Sequence, residues 1–357
     1  MIENFLTSEK VAEKIVKAIN DLNFKDGIRI MCVCGTHIHT FVRYGLESLL
    51  SENIEIIAGP GCPVCVTTDS EIDAMIRLAL EQDVTITTFG DMFRVPGSKM
   101  SLAEAKAKGA DVRLVYSIHE AVNIAKQSEK PVVHFAIGFE TTMPSTAYEV
   151  LNNAKNFYIF SSHRFISPAM LALLDEEIKI DGFICPGHVS SIIGAKAYEE
   201  VAKYKPCVVA GFEPIDVLLA IYKILMQIRQ RVSKIENEYS RVVRDQGNPE
   251  ALKLMNKVFD RKDGAWRGFP IIRKSIAILK EKYAKYDAVR EFSIELTYET
   301  KAKGCICDKI IKGLAKPKDC KLFAKACTPL TPKGPCMVSR EGACYIYYNF
   351  GRDDTEV

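Results

Sequence analysis

The chain has 357 residues, of which 48% are hydrophobic and 26% charged, enough for two or three domains with sizeable cores and too apolar for a disordered chain. Lys and Arg total 48 against 45 Asp and Glu, a net charge of +3, which excludes a broad nucleic-acid or anionic-membrane surface. No uncharged apolar run reaches the roughly 18 residues of a membrane span, and the N-terminus lacks a charged stretch followed by an apolar one. The expected location is the cytoplasm.

In chain order, "MIENFLTSEKVAEKIVKAINDLN" has the period of an amphipathic helix. Short apolar, β-branched runs follow: "IRIMCVCGTH", "IEIIAGPGC", "VTITTFGDM", "VRLVYS", "PVVHFAIGFETT", "FYIFSSH", "GFICPGH" and "PCVVAGFEP". Helical stretches such as Asp69 to Gln82 and Ser101 to Lys108 separate most of them. Uniformly apolar strands alternating with helices predict parallel sheets covered on both faces, with the polar motifs at the carboxyl ends of strands, where such sheets place ligand crevices. His37 to Cys62 and His163 to His188 are both 25 residues apart, which suggests an internal duplication.

After Asp216 a long helical period covers Val217 to Arg244, and beyond it Asn248 and Pro249 read as the cap and first residue of another helix. The expected fold class is α/β: two similar parallel-sheet domains, 21–126 and 127–235, plus a smaller, mainly helical C-terminal cluster domain, 236–357, packed with the N-terminal helix 1–20.

Twelve cysteines in a cytoplasmic chain point to metal ligation or redox chemistry rather than structural disulfides. Cys32, Cys185 and Cys207 sit within apolar runs and read as core. Cys62 and Cys65 in "GPGCPVC" form a C-x-x-C unit open to zinc, iron–sulfur or disulfide chemistry; a strand end ahead of the helix near Asp69 favours a reactive redox pair. Six more cysteines, at 305, 307, 320, 327, 336 and 344, include no C-x-x-C, so four thiolates from irregular loops suit a [4Fe–4S] cluster better than zinc. Two are left over for a redox pair beside it. Glu140 of "GFETT", Glu213 and Asp216 of "GFEPID", and His188 and Ser190 of "CPGHVS" stand at strand ends, where they orient ligands, relay protons or cap helices.

Together "CGTH" at Cys34 to His37, "GPGCPVC", "TFGDMFRVPGS", "GFETT", "CPGHVS", "GFEPID" and "CMVSREGACYIYY" resemble the HypD family of hydrogenase maturation factors over nearly the whole chain. The resemblance implies a scaffold and redox protein in assembly of the Fe(CN)2CO group of [NiFe]-hydrogenase. It implies a small chaperone, HypC, as partner and HypE as the donor of cyanide carried as thiocyanate, the chain being a monomer outside the complex. Cys34 is then the solvent-reachable iron-binding cysteine, shared with the chaperone's own cysteine, with His37 as second ligand or base and Arg94 as holder of an anion such as cyanide. By the family's analogy to ferredoxin–thioredoxin reductase, Cys305, Cys320, Cys327 and Cys344 ligate the cluster and Cys307 pairs with Cys336. Spacing alone equally allows Cys320, Cys327, Cys336 and Cys344 as ligands. The competing function is a stand-alone iron–sulfur disulfide reductase acting on a small metabolite.

Overall fold

The computed structural model describes residues 8–175, 178–296 and 304–351. All the apolar runs named above become strands: β1 (Ile28–Cys32), β2 (Ile54–Ala58), β3 (Thr85–Thr88), β4 (Asp111–Leu114), β5 (Val132–Gly138), β6 (Phe157–His163), β7 (Gly182–Cys185) and β8 (Cys207–Val209). Their neighbours are all parallel, and β3, β5, β7 and β8 are buried along their whole length, as strands covered on both faces must be. The architecture is α/β with two parallel sheets and a helical C-terminal region.

The two sheets do not follow the chain division expected at 126/127. One has the order β2-β1-β7-β8-β9 and the other β4-β3-β5-β6, so the second sheet is an excursion between β2 and β7 of the first. β1 takes β2 on one edge and β7 on the other, with Ile30 opposite both Ile56 and Gly182. The repeat spacing loses its meaning for the same reason. His37 and Cys62 follow adjacent strands of one sheet, whereas His163 ends β6 of the second sheet and His188 follows β7 of the first.

Local capping sets the helix starts. Thr68 and Glu71 form a capping box ahead of Asp69–Glu81, Ser101 and Glu104 one ahead of Leu102–Ala107, and Asn248 accepts from Glu250 and Ala251 at the start of Pro249–Val258. The long helix is shorter than its period suggests: Pro214–Gln230 ends at Arg231, whose φ of 54° is left-handed, and the chain then adds β9 (Ile235–Asn237) beside β8. The C-terminal third also contains an antiparallel pair, β10 (Phe259–Ala265) and β11 (Ile271–Leu279), whose polar, exposed faces hid it among helical patterns. The N-terminal helix Glu9–Asn20 packs on Pro214–Gln230 of the first sheet's layer, and its buried Ile19 joins a core cluster that also includes Ile346 of the C-terminal unit.

An ion pair absent from the sequence reading locks the second sheet. Arg164, just past β6, is 1% exposed in its side chain and donates to Glu71 Oε2 at 2.5 Å and to the Ser162 carbonyl at 2.7 Å, 5.8 Å from the ring of the single Trp266. Such a pair adds little net stability when whole, but removing either partner strands a buried charge at about 3–5 kcal/mol. The C-terminal segment folds back onto the first sheet: Ala343–Phe350 lies on the helix Gly35–Arg43, and the turn Pro335–Val338 lies on the turn Pro63–Val66.

Candidate functional site

Between the sheets and the C-terminal segment opens a cleft of about 840 Å³. Its walls come from the carboxyl ends of strands in both sheets: Cys34 after β1, Gly61, Pro63 and Val64 after β2, Phe89, Gly90 and Asp91 after β3, Gly138, Phe139, Thr141 and Thr142 at the end of β5, and Pro186, His188, Val189, Ser191 and Ile192 after β7. Ser339, Arg340 and Glu341 close it from the C-terminal side. A larger groove of about 980 Å³ between the helix Ile166–Leu174 and the β10–β11 pair contains neither cysteine nor histidine and offers none of this chemistry.

Cys34 is only 6% exposed, so it is reachable through the cleft rather than from open solvent. Burial, and after it the nearby Glu341, pushes its thiol up to about 12. Such an environment favours the neutral thiol over the free anion. Two glycines permit this packing. A Cβ on Gly61 would stand 2.3 Å from Cys34 N, and one on Gly35 would stand 2.2 Å from the Glu341 carbonyl oxygen. Replacing Gly35 with Ala therefore pushes Glu341 off the "CGTH" loop. We expect Gly35→Ala to lose about 1–3 kcal/mol of stability by overpacking, measured by denaturant unfolding, and to loosen the C-terminal segment in limited proteolysis.

Cys62 and Cys65 are disulfide-bonded with Cα atoms 5.2 Å apart, and Cys62 caps the short turn Pro63–Val66. That turn is separate from the helix Asp69–Glu81, whose N-terminus is satisfied by Thr68 and Glu71 and not by the thiols, so the expected effect of that helix dipole on them is not what the fold provides. Cys307 and Cys336 form a second disulfide, Cα atoms 6.3 Å apart. Cys305, Cys320, Cys327 and Cys344 stay free. This is the division implied by the reductase analogy, whereas the compact ligand set needs Cys336 as a free thiol. Burial pushes the Cys344 thiol up, and charge on Cys305, Cys327 and Cys320 pushes it further, so the four thiols share one electrostatic neighbourhood. Burial also pushes Cys305 up, against the charge of Arg267. Among the described residues no three His, Cys, Asp or Glu side chains group as they would around a metal ion. The four free thiols are soft donors of the kind an iron–sulfur cluster takes.

Other expected site residues lie elsewhere. His37 is fully buried in the helix Gly35–Arg43, its Nε2 is 3.1 Å from the Ala210 carbonyl, and burial pushes its imidazole down to about 4. It does not line the cleft, but it stacks on Phe212 (4.8 Å), which stacks on His188 (4.0 Å), and His188 does line it. Arg94 points out of the cleft to the Pro329 carbonyl at 3.4 Å. Glu140 is buried with its carboxylate accepting from Ile166 N at 3.2 Å, at the start of the helix Ile166–Leu174, and burial pushes its carboxyl up to about 7. Glu213 and Asp216 open the helix Pro214–Gln230, and Asp216 pairs with Arg241 at 2.5 Å. Ser190 is buried and bonded to the Pro186 carbonyl. His37, Glu140, Asp216 and Ser190 each satisfy a backbone group or a cation in the packed interior and do not line the cleft.

Two cleft carboxylates were missed by the sequence reading. Asp91 accepts from Ser339 Oγ at 2.9 Å and from Arg340 N at 3.3 Å, and the carboxyl of half-buried Glu341 is pushed up to about 7 by desolvation and then by the charge of Asp91. Their motifs, "TFGDM" and "SREGA", are visible, but nothing in the sequence says that they meet.

The match to known proteins covers this whole arrangement. Residues 9–351 match the family described as "HypD: Hydrogenase formation hypA family". The chain is 50% identical to a hydrogenase expression/formation protein of Methanocaldococcus jannaschii, over 97% of this chain and 99% of that protein. It is 43% identical to hydrogenase maturation factor HypD2 of Bradyrhizobium diazoefficiens, over 96% and 95%, and 41% identical to hydrogenase maturation factor HypD of Escherichia coli K12, over 92% and 91%. Matched over nearly its whole length, and carrying the strand-end motifs around one cleft, the chain belongs to the HypD family of hydrogenase maturation factors.

Proposed function

We propose that the cleft at Cys34 is where the Fe(CN)2CO group of [NiFe]-hydrogenase is built, with the iron held as cargo by the Cys34 thiolate and a cysteine of a HypC-like chaperone. The observation that carries this reading is a soft donor opening only into a roomy cleft whose rim holds the disulfide turn Pro63–Val66. A low-spin ferrous ion with cyanide ligands is soft and prefers thiolate. His188, Asp91 and Glu341 lie near enough to hold protons or orient ligands there.

Cyanide delivery from a HypE-like thiocyanate needs two electrons. When the Cys62/Cys65 dithiol closes to a disulfide it releases two electrons and two protons; the S–C bond of the thiocyanate breaks, giving back the donor's thiol and hydrogen cyanide. The Cys307/Cys336 pair can reopen Cys62–Cys65 by exchange, one disulfide closing as the other opens, and the packing of Pro335–Val338 on Pro63–Val66 supports that route. A [4Fe–4S] cluster on Cys305, Cys320, Cys327 and Cys344 would supply single electrons beside that pair.

The test is co-purification of the full chain with the small chaperone, followed by infrared spectroscopy in the region where bound cyanide and carbonyl absorb and protein does not. Bands there, with iron beyond that of the cluster, are expected. Their absence, together with turnover of a low-molecular-weight disulfide by the chain alone, would overturn the scaffold reading in favour of a reductase.

A further inference from the structure

The segment 304–335, which carries Cys305, Cys320 and Cys327, holds seven lysines and no arginine against two aspartates, an excess of five positive charges in a chain whose total is +3. A charge run is ordinarily a solvated face, but this one is built closely around the thiols. Cys327 N donates to the Leu322 carbonyl at 2.9 Å and Ala324 N to the Cys327 carbonyl at 3.1 Å, which folds the loop from Cys320 to Cys327 back on itself. Lys321 and Lys325 are exposed on that loop. Lys333 is exposed too, and its backbone N donates to Cys327 Sγ at 3.3 Å; at Gly334, the next residue, a Cβ would stand 2.6 Å from Cys305 Sγ. None of these three lysines has a carboxylate partner among the described residues. The acidic groups nearby are engaged elsewhere: Asp319 accepts from Lys316 N at 2.7 Å, Asp69 is held by Arg267, and Asp308, which shares a crevice with Lys333, packs against Gly268.

Amid these charges stands one apolar side chain. Leu330 is 90% exposed at the tip of "TPLTP", and the tip is tied down: Thr331 N donates to the Thr328 carbonyl at 3.1 Å, Thr331 Oγ1 to the Ala326 carbonyl at 3.4 Å, and Arg94 to the Pro329 carbonyl at 3.4 Å. An apolar centre with a charged rim is the composition of a contact patch. Lysines are compact, strongly hydrated charges that speed an encounter more than they tighten it. A partner that must arrive, give up one electron and leave needs contact of that kind, and such encounters bury the least surface. We propose that Lys321, Lys325 and Lys333 around Leu330 form the docking face for an acidic, single-electron carrier protein that delivers its electron at the thiols this segment carries. The proposal rests on the reading of Cys305, Cys320, Cys327 and Cys344 as cluster ligands. Each visit oxidises the carrier by one electron and reduces the chain by one. Two visits supply the electron pair that opens one disulfide, whose two protons come from solvent.

The experiment uses the full chain, purified anaerobically with its iron and sulfide quantified. Binding of an oxidised acidic [2Fe–2S] ferredoxin and of an acidic flavodoxin is measured by titration calorimetry at low and high salt, with basic cytochrome c and a thymidine oligonucleotide as contrasting probes. At least one acidic carrier is expected to bind, several-fold more weakly at about 200 mM than at about 50 mM salt, and cytochrome c is not. The triple variant Lys321→Gln, Lys325→Gln, Lys333→Gln should weaken that binding about tenfold, with the visible spectrum and thermal unfolding unchanged. Leu330→Ser should weaken it several-fold and leave its salt dependence as it was. A chain without iron and sulfide would end the cluster reading and this proposal with it. With iron and sulfide present, the docking face alone fails if neither acidic carrier binds, if the triple variant binds as the unmodified chain does, or if cytochrome c binds equally well. Binding of the oligonucleotide but of neither carrier would make this a nucleic-acid surface and equally overturn the proposal.

Discussion

Cys320→Ser and Cys344→Ser are expected to give colourless protein without bound iron and sulfide, and Cys336→Ser protein that keeps both. Cys320 and Cys344 are buried free thiols in the C-terminal unit, and each belongs to every ligand set the spacing allows. Losing one corner of a cluster removes the binding that holds irregular loops together, so these variants should also unfold at lower denaturant. Cys336 instead lies in the pair with Cys307, where loss of one sulfur leaves the four remaining thiols in place. Cys305→Ser should behave like Cys320→Ser. Iron and sulfide analysis with visible spectra decides it. Cys336→Ser colourless with Cys305→Ser coloured would make the compact set the ligands and remove the route through Cys307/Cys336.

A second large effect is expected at Cys34. Cys34→Ala removes one sulfur from a site already packed by Gly61 and the Glu341 loop, so the fold should survive with a loss of about 1 kcal/mol. The cargo should not survive. Among the described residues no other cysteine lines the cleft, so the chaperone's cysteine is left as the single soft donor, too few to retain the iron through purification. Metal analysis of the purified chaperone complex should therefore find cluster iron only, with the visible absorption of the cluster unchanged.

What the sequence discloses follows from how far each signal reaches. Apolar runs locate β1 to β8 because each strand's own residues carry the apolar signal, most fully in β3, β5, β7 and β8, which are buried on both faces. Which strand sits beside which is not written there, and the chain's excursion through β3 to β6 before β7 returns to β1 escaped the reading. β9, three partly buried residues, and β10, mostly charged, carry too little period to separate from the helices around them. In the site, residue chemistry marked the cysteines. Direction did not show: Glu140 and Asp216 stand at strand ends as expected but turn down to cap helices, and His37 turns into the core against Phe212. The contact of Asp91 with Ser339 joins residues 248 apart, a distance over which a single sequence offers no cue.

The most direct measurement is an infrared comparison of the chaperone complex made with 13C-labelled thiocyanate on the donor protein, using the unmodified chain and Cys34→Ala. Assembly in the Cys34 cleft predicts bound-cyanide bands that shift to lower wavenumber with the label in the unmodified complex, and none in Cys34→Ala. Labelled bands of equal intensity in both complexes would contradict it and place the iron away from this cleft.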